Sequence, residues 1–136
     1  MLQTNSVNVS SSNDSDTTES LEHIFPRALR LLTAKQYSHV FADARRFGNQ
    51  SFTLLVRHNN QVYPRLGLAI AKKSAKRAVD RNRIKRLLRE SFRNRQHQLP
   101  PIDIIAMCRP SAVNLSNKQI TKQLEQQWRY IEKKLS

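Results

Sequence analysis

Six cationic side chains, Arg81, Arg83, Lys85, Arg86, Arg89 and Arg93, crowd the segment DRNRIKRLLRESFR that runs from Asp80 to Arg93. Chemistry of two kinds could be asked of such a chain: neutralising phosphates, or cleaving them. Cleavage of a phosphodiester by protein groups needs several converging carboxylates to hold metal ions. Beyond residue 26 the acids are Asp43, Asp80, Glu90, Asp103, Glu125 and Glu132, and none is paired at ligand spacing. His23, His39, His58 and His97 are scattered, with no acid placed for a catalytic dyad and no partners for a zinc site. The residues therefore predict binding without an active site, and neither a catalytic residue nor a metal ligand is assigned.

The composition says what would be bound. A net charge of +14 over 136 residues implies a polyanionic partner, nucleic acid before an acidic membrane surface. All 24 Lys and Arg residues lie from Arg27 onward, whereas the first 26 residues hold only acids. Upstream of the basic segment, KKSAKR adds Lys72, Lys73, Lys76 and Arg77, so that residues 72 to 95 carry eleven cations and two acids. Ordinary solvated faces mix the two signs.

The basic segment has the period of a helix. At about 100° per residue, Ile84, Leu87, Leu88, Ser91 and Phe92 share one arc, and Asn82, Lys85, Arg86, Arg89 and Arg93 share another on the far side. Like charges stacked at i, i+3 and i+4 cost a few tenths of a kcal/mol per pair, about what an isolated helix loses, which makes sense only if an anion compensates. Arg81 falls near the apolar direction and Arg83 on the opposite flank. A buried, unpaired guanidinium would be costly, so the first turn is expected to overhang the core and stay open.

Other elements must position this helix. Residues 1 to 22, rich in Ser, Asn, Thr and Asp, have almost nothing to bury and are expected to be a disordered acidic tail, with a single nucleic-acid-binding α+β domain over 23 to 136. Thr33 and Gln36 form a capping-box signature that opens a first helix with Tyr37, Val40, Phe41 and Ala44 at i, i+3, i+4 and i+7. From Ser51 the period becomes two, with Phe52, Leu54 and Val56 on one face and Thr53, Leu55 and Arg57 on the other. HNNQVYP then reads as a turn and RLGLAIA as a second strand, so the two are expected to pair as an antiparallel hairpin, with RRFG (Arg45 to Gly48) as an edge strand. Ile102 to Cys108 is a strand buried on both faces. Ser116 and Gln119 cap a last helix with Ile120, Leu124, Trp128, Ile131 and Leu135 on its apolar stripe. The order is α-β-β-β-α-β-α, an α+β fold built as a small two-layer α/β sandwich.

A strand ending in AKK, a short gap and RAVDRNRIKRLLRESFR resemble the signature segment of the bacterial ribonuclease P protein component, with Arg81, Asn82 and Arg83 matching its Arg-Asn-Arg motif. The resemblance extends from FPRALRLLTAKQYSHVF through LPPIDIIAMCRP to the Trp-containing last helix, while the acidic N-terminal tail departs from it. It implies a left-handed β-α-β crossover around the basic helix. It also implies that this is the protein subunit of an endoribonuclease, with magnesium held by the RNA subunit and no cofactor held by the protein alone. Its partners would be ribonuclease P RNA and precursor tRNA, one protein per RNA, in 5′-end maturation of tRNA.

The RNA-binding residues are then Lys72, Lys73, Lys76, Arg77, Arg81, Asn82, Arg83, Lys85, Arg86, Arg89 and Arg93. A single strand such as the tRNA leader needs a basic groove with platforms for its bases. Tyr37 and Phe41, one turn apart, could line one with Thr53, Leu55 and Arg57; their spacing fits ordinary core residues equally, and the resemblance favours the groove. The rival readings are a ribosomal or other structured-RNA-binding protein without a role in cleavage, and a major-groove DNA reader. The DNA reader is disfavoured because the helix has no helix-turn-helix partner. One cysteine, Cys108, and no long apolar run suggest a cytoplasmic protein without membrane attachment.

Overall fold

The alternation along Phe52–His58 divides the molecule into two sides. In the computed structural model, which describes residues 27–135, Phe52, Leu54 and Val56 point into the main core and Thr53, Leu55 and Arg57 point to the opposite side of the sheet. The sheet has four strands: β1 (Arg45–Gly48), β2 (Phe52–His58), β3 (Arg65–Leu68) and β4 (Ile102–Cys108). Their spatial order is β1-β2-β4-β3. β1 and β2 run antiparallel with Phe47 opposite Leu54, β2 and β4 antiparallel with Leu55 opposite Ile105, and β3 and β4 parallel with Gly67 opposite Ile105.

The expected hairpin of β2 and β3 does not form, because β4 lies between them. The turn-like HNNQVYP marks a change of direction but says nothing about which strand is the neighbour. β4 is buried on both faces apart from the half-buried Met107, and such a strand gains most in the middle of a sheet. β3, shorter than RLGLAIA suggested, takes the edge.

The parallel pair β3 and β4 is joined by α2 (Ala78–Arg95), and α3 (Asn117–Leu135) follows β4. Ile84, Leu87, Leu88, Ser91 and Phe92 of α2 are buried, as their shared arc predicts. They meet Ile120, Leu124, Trp128 and Ile131 of α3 in one core against the sheet. Trp128 is wholly buried, its ring edge-on to Phe92 at 6.0 Å, and its Nε1 donates to Ser91 Oγ at 2.7 Å. The serine on the apolar stripe thus satisfies an indole that would otherwise be a buried donor without a partner. Arg95 ties the two helices on one flank through Glu132 at 2.8 Å.

On the other side of the sheet, α1 (Ala34–Ala42) is the one α-helix among the described residues. Thr33 Oγ1 accepts from Gln36 N at 3.1 Å, and Gln36 Oε1 accepts from Thr33 N at 3.1 Å, which is the capping box read in the sequence. The box at Ser116 and Gln119 forms likewise. α1 covers only part of its face. Val40 enters a small second core with Leu31 and Ile105, while Phe41 stays 51% exposed. The fold is α+β in the expected order; the acidic tail expected over residues 1 to 22 lies outside the described residues, as does His23.

Candidate nucleic-acid interface

The cations of the crossover fall into two groups. Lys72, Lys73 and Lys76 are exposed in the loop that leads to α2, and Asn82, Arg86 and Arg89 are exposed on the helix itself, with Lys85 and Arg93 half-buried beside them. Arg81 and Arg83 fold back onto the protein. Arg81 Nη1 donates to the carbonyls of Ala75 and Lys76 at 2.9 and 2.8 Å. Arg83 reaches across to α3, donating from Nη1 to Asn117 Oδ1 at 2.7 Å and from Nη2 to Val113 O at 3.1 Å.

The first turn of α2 is open at Ala78 and Val79, as its sequence suggests, but its arginines are not free. Arg81 folds back on the preceding loop and Arg83 reaches the segment before α3, so both find acceptors that helical geometry alone does not reveal. These bonds fix the direction of the crossover loop, and Asn82, between the two arginines, is the residue of the triplet left exposed. Arg77, exposed at the helix start, donates from Nε to Asp80 at 2.9 Å. That hydrogen bond holds the Asp80 carboxyl below its ordinary range. The tie is thus present above the ordinary carboxylate pKa and is lost as pH falls through the lowered one.

Burial of the Arg89 guanidinium lowers its pKa, although the residue as a whole is exposed, and the Tyr37 hydroxyl acts in the opposite sense, which places the two groups within electrostatic reach. Arginine stays charged regardless. Arg89 is thus a residue of the basic face within electrostatic reach of Tyr37, on the α1 side of the sheet.

On that side Tyr37 is half-buried, its Oη accepting from Leu68 N at 3.0 Å and donating to Leu68 O at 3.4 Å. Gly67 makes this approach possible, since a Cβ there would meet the Tyr37 ring and hydroxyl at 2.8 Å. Arg57 Nη1 donates to His39 O at 2.6 Å, closing the end of α1 on β2. Thr53 is buried and Leu55 half-buried. Phe41, one turn from Tyr37 on α1, is exposed.

The strand register adds two arginines that the sequence reading did not single out. Arg46 is opposite Leu55 and Gly48 opposite Thr53, so Arg46 shares the α1 side of the sheet. Arg109 continues the alternation of Ile105 and Met107, and its Nη2 and Thr53 Oγ1 would each lie 3.9 Å from a Cβ on Gly48. The only sequence signal for either was parity along a strand whose neighbour was unknown. Asp103, on the same side, is held by Arg65 Nε and Nη2 at 2.8 and 2.7 Å and by Asn59 at 2.8 Å, so it does not offset these cations.

Among the described residues, no group of three His, Cys, Asp or Glu could hold a metal ion, and no helix is long and apolar enough to cross a membrane. Cys108 is buried, and burial pushes its thiol pKa up, which makes it a poor nucleophile. What the geometry offers is two basic surfaces: the outer face of α2 with its leading loop, and a sheet face that α1 covers in part, with Tyr37 and Phe41 on that helix.

Known proteins resemble this chain over most of its length. The ribonuclease P family model matches residues 25–132. The chain is 52% identical over 104 residues to the ribonuclease P protein component of Thioalkalivibrio sulfidiphilus, covering 76% of this chain and 87% of that protein. It is 51% identical over 106 residues to that of Vibrio vulnificus, covering 78% and 90%. Among solved structures, the Staphylococcus aureus RNase P protein aligns with a TM-score of 0.71 at 28% identity, covering 76% of this chain and 95% of that one. The Thermotoga maritima RNase P protein aligns at 0.66 and 25%, covering 76% and 96%. With the crossover, the basic helix and the half-covered sheet all in place, the chain belongs to the family of bacterial ribonuclease P protein components, subunits of an RNA-processing endoribonuclease.

Proposed function

We propose that the chain binds ribonuclease P RNA through the exposed face of α2 and its leading loop, and holds the 5′ leader of precursor tRNA on the open sheet face. The observation that carries this reading is the half-covered sheet. A sheet face built for stability alone would be closed, yet here α1 leaves its own Phe41 51% exposed, on the side of the sheet that also carries Arg46, Arg57 and Arg109. Aromatic platforms next to a basic track suit a single strand, because every base has a face to stack and every nucleotide a phosphate.

Within the triplet, Arg81 and Arg83 act as positioning residues that fix the crossover, and Asn82, Lys85, Arg86, Arg89 and Arg93 meet RNA. Lys72, Lys73, Lys76 and Arg77 extend that contact along the loop. The protein neutralises phosphates and orders RNA; magnesium and the chemistry of cleavage belong to the RNA subunit, with one protein per RNA, in the cytoplasm. Reconstitution with a bacterial ribonuclease P RNA at low magnesium tests this. Precursor-tRNA cleavage should recover when the protein is added, and rigorously RNA-free protein should leave the substrate intact. Recovery without any dependence on the leader would remove the sheet face from the substrate path, and no recovery would favour a structured-RNA-binding protein with no part in cleavage.

A further inference from the structure

On the opposite flank of α3 from the Arg95 bridge, an open groove of about 690 Å³ runs between α3 and the edge strand β1. Its volume lies within the usual range of ligand sites, about 300 to 1,000 Å³. It is lined by Arg45, Arg46, Asn49, Gln127, Tyr130 and Lys134 among others, three cations with no acid. Two features go beyond charge. Tyr130 is 53% exposed, though its ring is fixed edge-on to Phe47 at 5.8 Å, with Lys134 Nζ 5.7 Å from its centroid. Gln127 is only 8% exposed; its Nε2 makes one long bond to Phe52 O at 3.4 Å, and its Oε1 has no partner among the described residues.

An unpaired buried amide oxygen is unfavourable unless something that visits the site donates to it. The exocyclic amine of a nucleobase is such a donor, a fixed and exposed tyrosine is a stacking platform, and three cations without an acid suit a phosphate. We propose that this groove is a subsite for one unpaired nucleotide of RNA, its base beside Tyr130 within reach of the Gln127 amide and its phosphate on Arg45, Arg46 and Lys134. Arg46 also borders the open sheet face. A leader strand that crosses that face therefore reaches the groove by passing over β1, and in this form the inference rests on the leader reading above.

The test uses reconstituted holoenzyme and precursor tRNAs whose leaders are shortened one nucleotide at a time from the 5′ end. Tyr130→Ala should weaken binding of long-leader substrates by about ten-fold and have no effect on short ones. The length at which its effect disappears should exceed the length at which that of Phe41→Ala does. Tyr130→Phe, which keeps the ring, should restore affinity. Lys134→Gln leaves Tyr130 and Phe47 packed and should lower the salt slope by about 0.7, one single-strand phosphate contact. No defect with Tyr130→Ala at any leader length, or an equal defect with mature tRNA, would overturn the subsite while leaving the leader reading intact. Wild-type affinity that ignores leader length would overturn both.

Discussion

One sheet carries two faces of opposite design. Against the face of Phe52, Leu54 and Val56, two long helices close a core in which Trp128, Phe92, Leu88 and Ile84 lose all contact with water. Against the face of Thr53, Leu55 and Arg57, one nine-residue helix covers a part and leaves its own Phe41 exposed, on the side that also carries arginines. Alternate residues of a single strand thus serve the fold and the ligand, which separates the cost of changing either. Substitutions on the closed face should be read in stability, and those on the open face in binding.

The largest effect belongs to the closed face. Trp128→Ala removes a wholly buried ring and leaves Ser91 without its partner. It should cost about 3 to 5 kcal/mol of folding free energy, measured in denaturant melts, with RNA affinity per folded molecule unchanged. A loss below about 1 kcal/mol would mean that the two helices repack without their central anchor.

These faces were not equally legible in the sequence. The apolar arcs of α2 and α3 and both capping boxes follow from local periods and short-range hydrogen bonds, and the side chains involved lie where those periods put them. The neighbours of β3 were misread because a turn predicts a hairpin, whereas β4 arrives from beyond α2 and displaces β2. The same distance in sequence hid the ties of Arg83 to Val113 and Asn117, 30 and 34 residues away. It hid Arg46 and Arg109 too, since their side of the sheet depends on a register that no local pattern sets. Local physics recorded the closed face and its helix; the open face is assembled from residues brought together only by the crossover.

Between the two faces stands Gly67, in the strand yet pressed against α1. Gly67→Ala places a methyl group 2.8 Å from the Tyr37 ring and 3.0 Å from Leu31 Cδ1. Overpacking of this kind costs about 1 to 3 kcal/mol, and the strain can be relieved only if Tyr37 gives up its bonds to Leu68 or α1 moves outward. Stability and leader-dependent binding should therefore fall together, and amide exchange should quicken in α1 before it does in α2. Binding left intact despite a destabilised α1 would show that the position of this helix does not matter to the ligand.

The smallest change in stability is expected at Phe41, and it divides the two designs most directly. The ring is 51% exposed, and Val40 holds the core position beside it. Phe41→Ala removes little that is buried and should cost less than about 1 kcal/mol of folding free energy, well short of the 3 to 5 typical of a core phenylalanine. If the ring is a platform for a leader base, its loss should weaken binding of precursor tRNA by about 1 to 3 kcal/mol, with mature tRNA bound as before. Denaturant melts and leader-dependent binding measured on the same preparation separate the outcomes. A core-sized stability loss would place Phe41 with the closed-face residues, against its exposure. An intact protein that binds both RNAs normally would leave the exposed aromatic without a ligand, and the open face would then rest on its arginines alone.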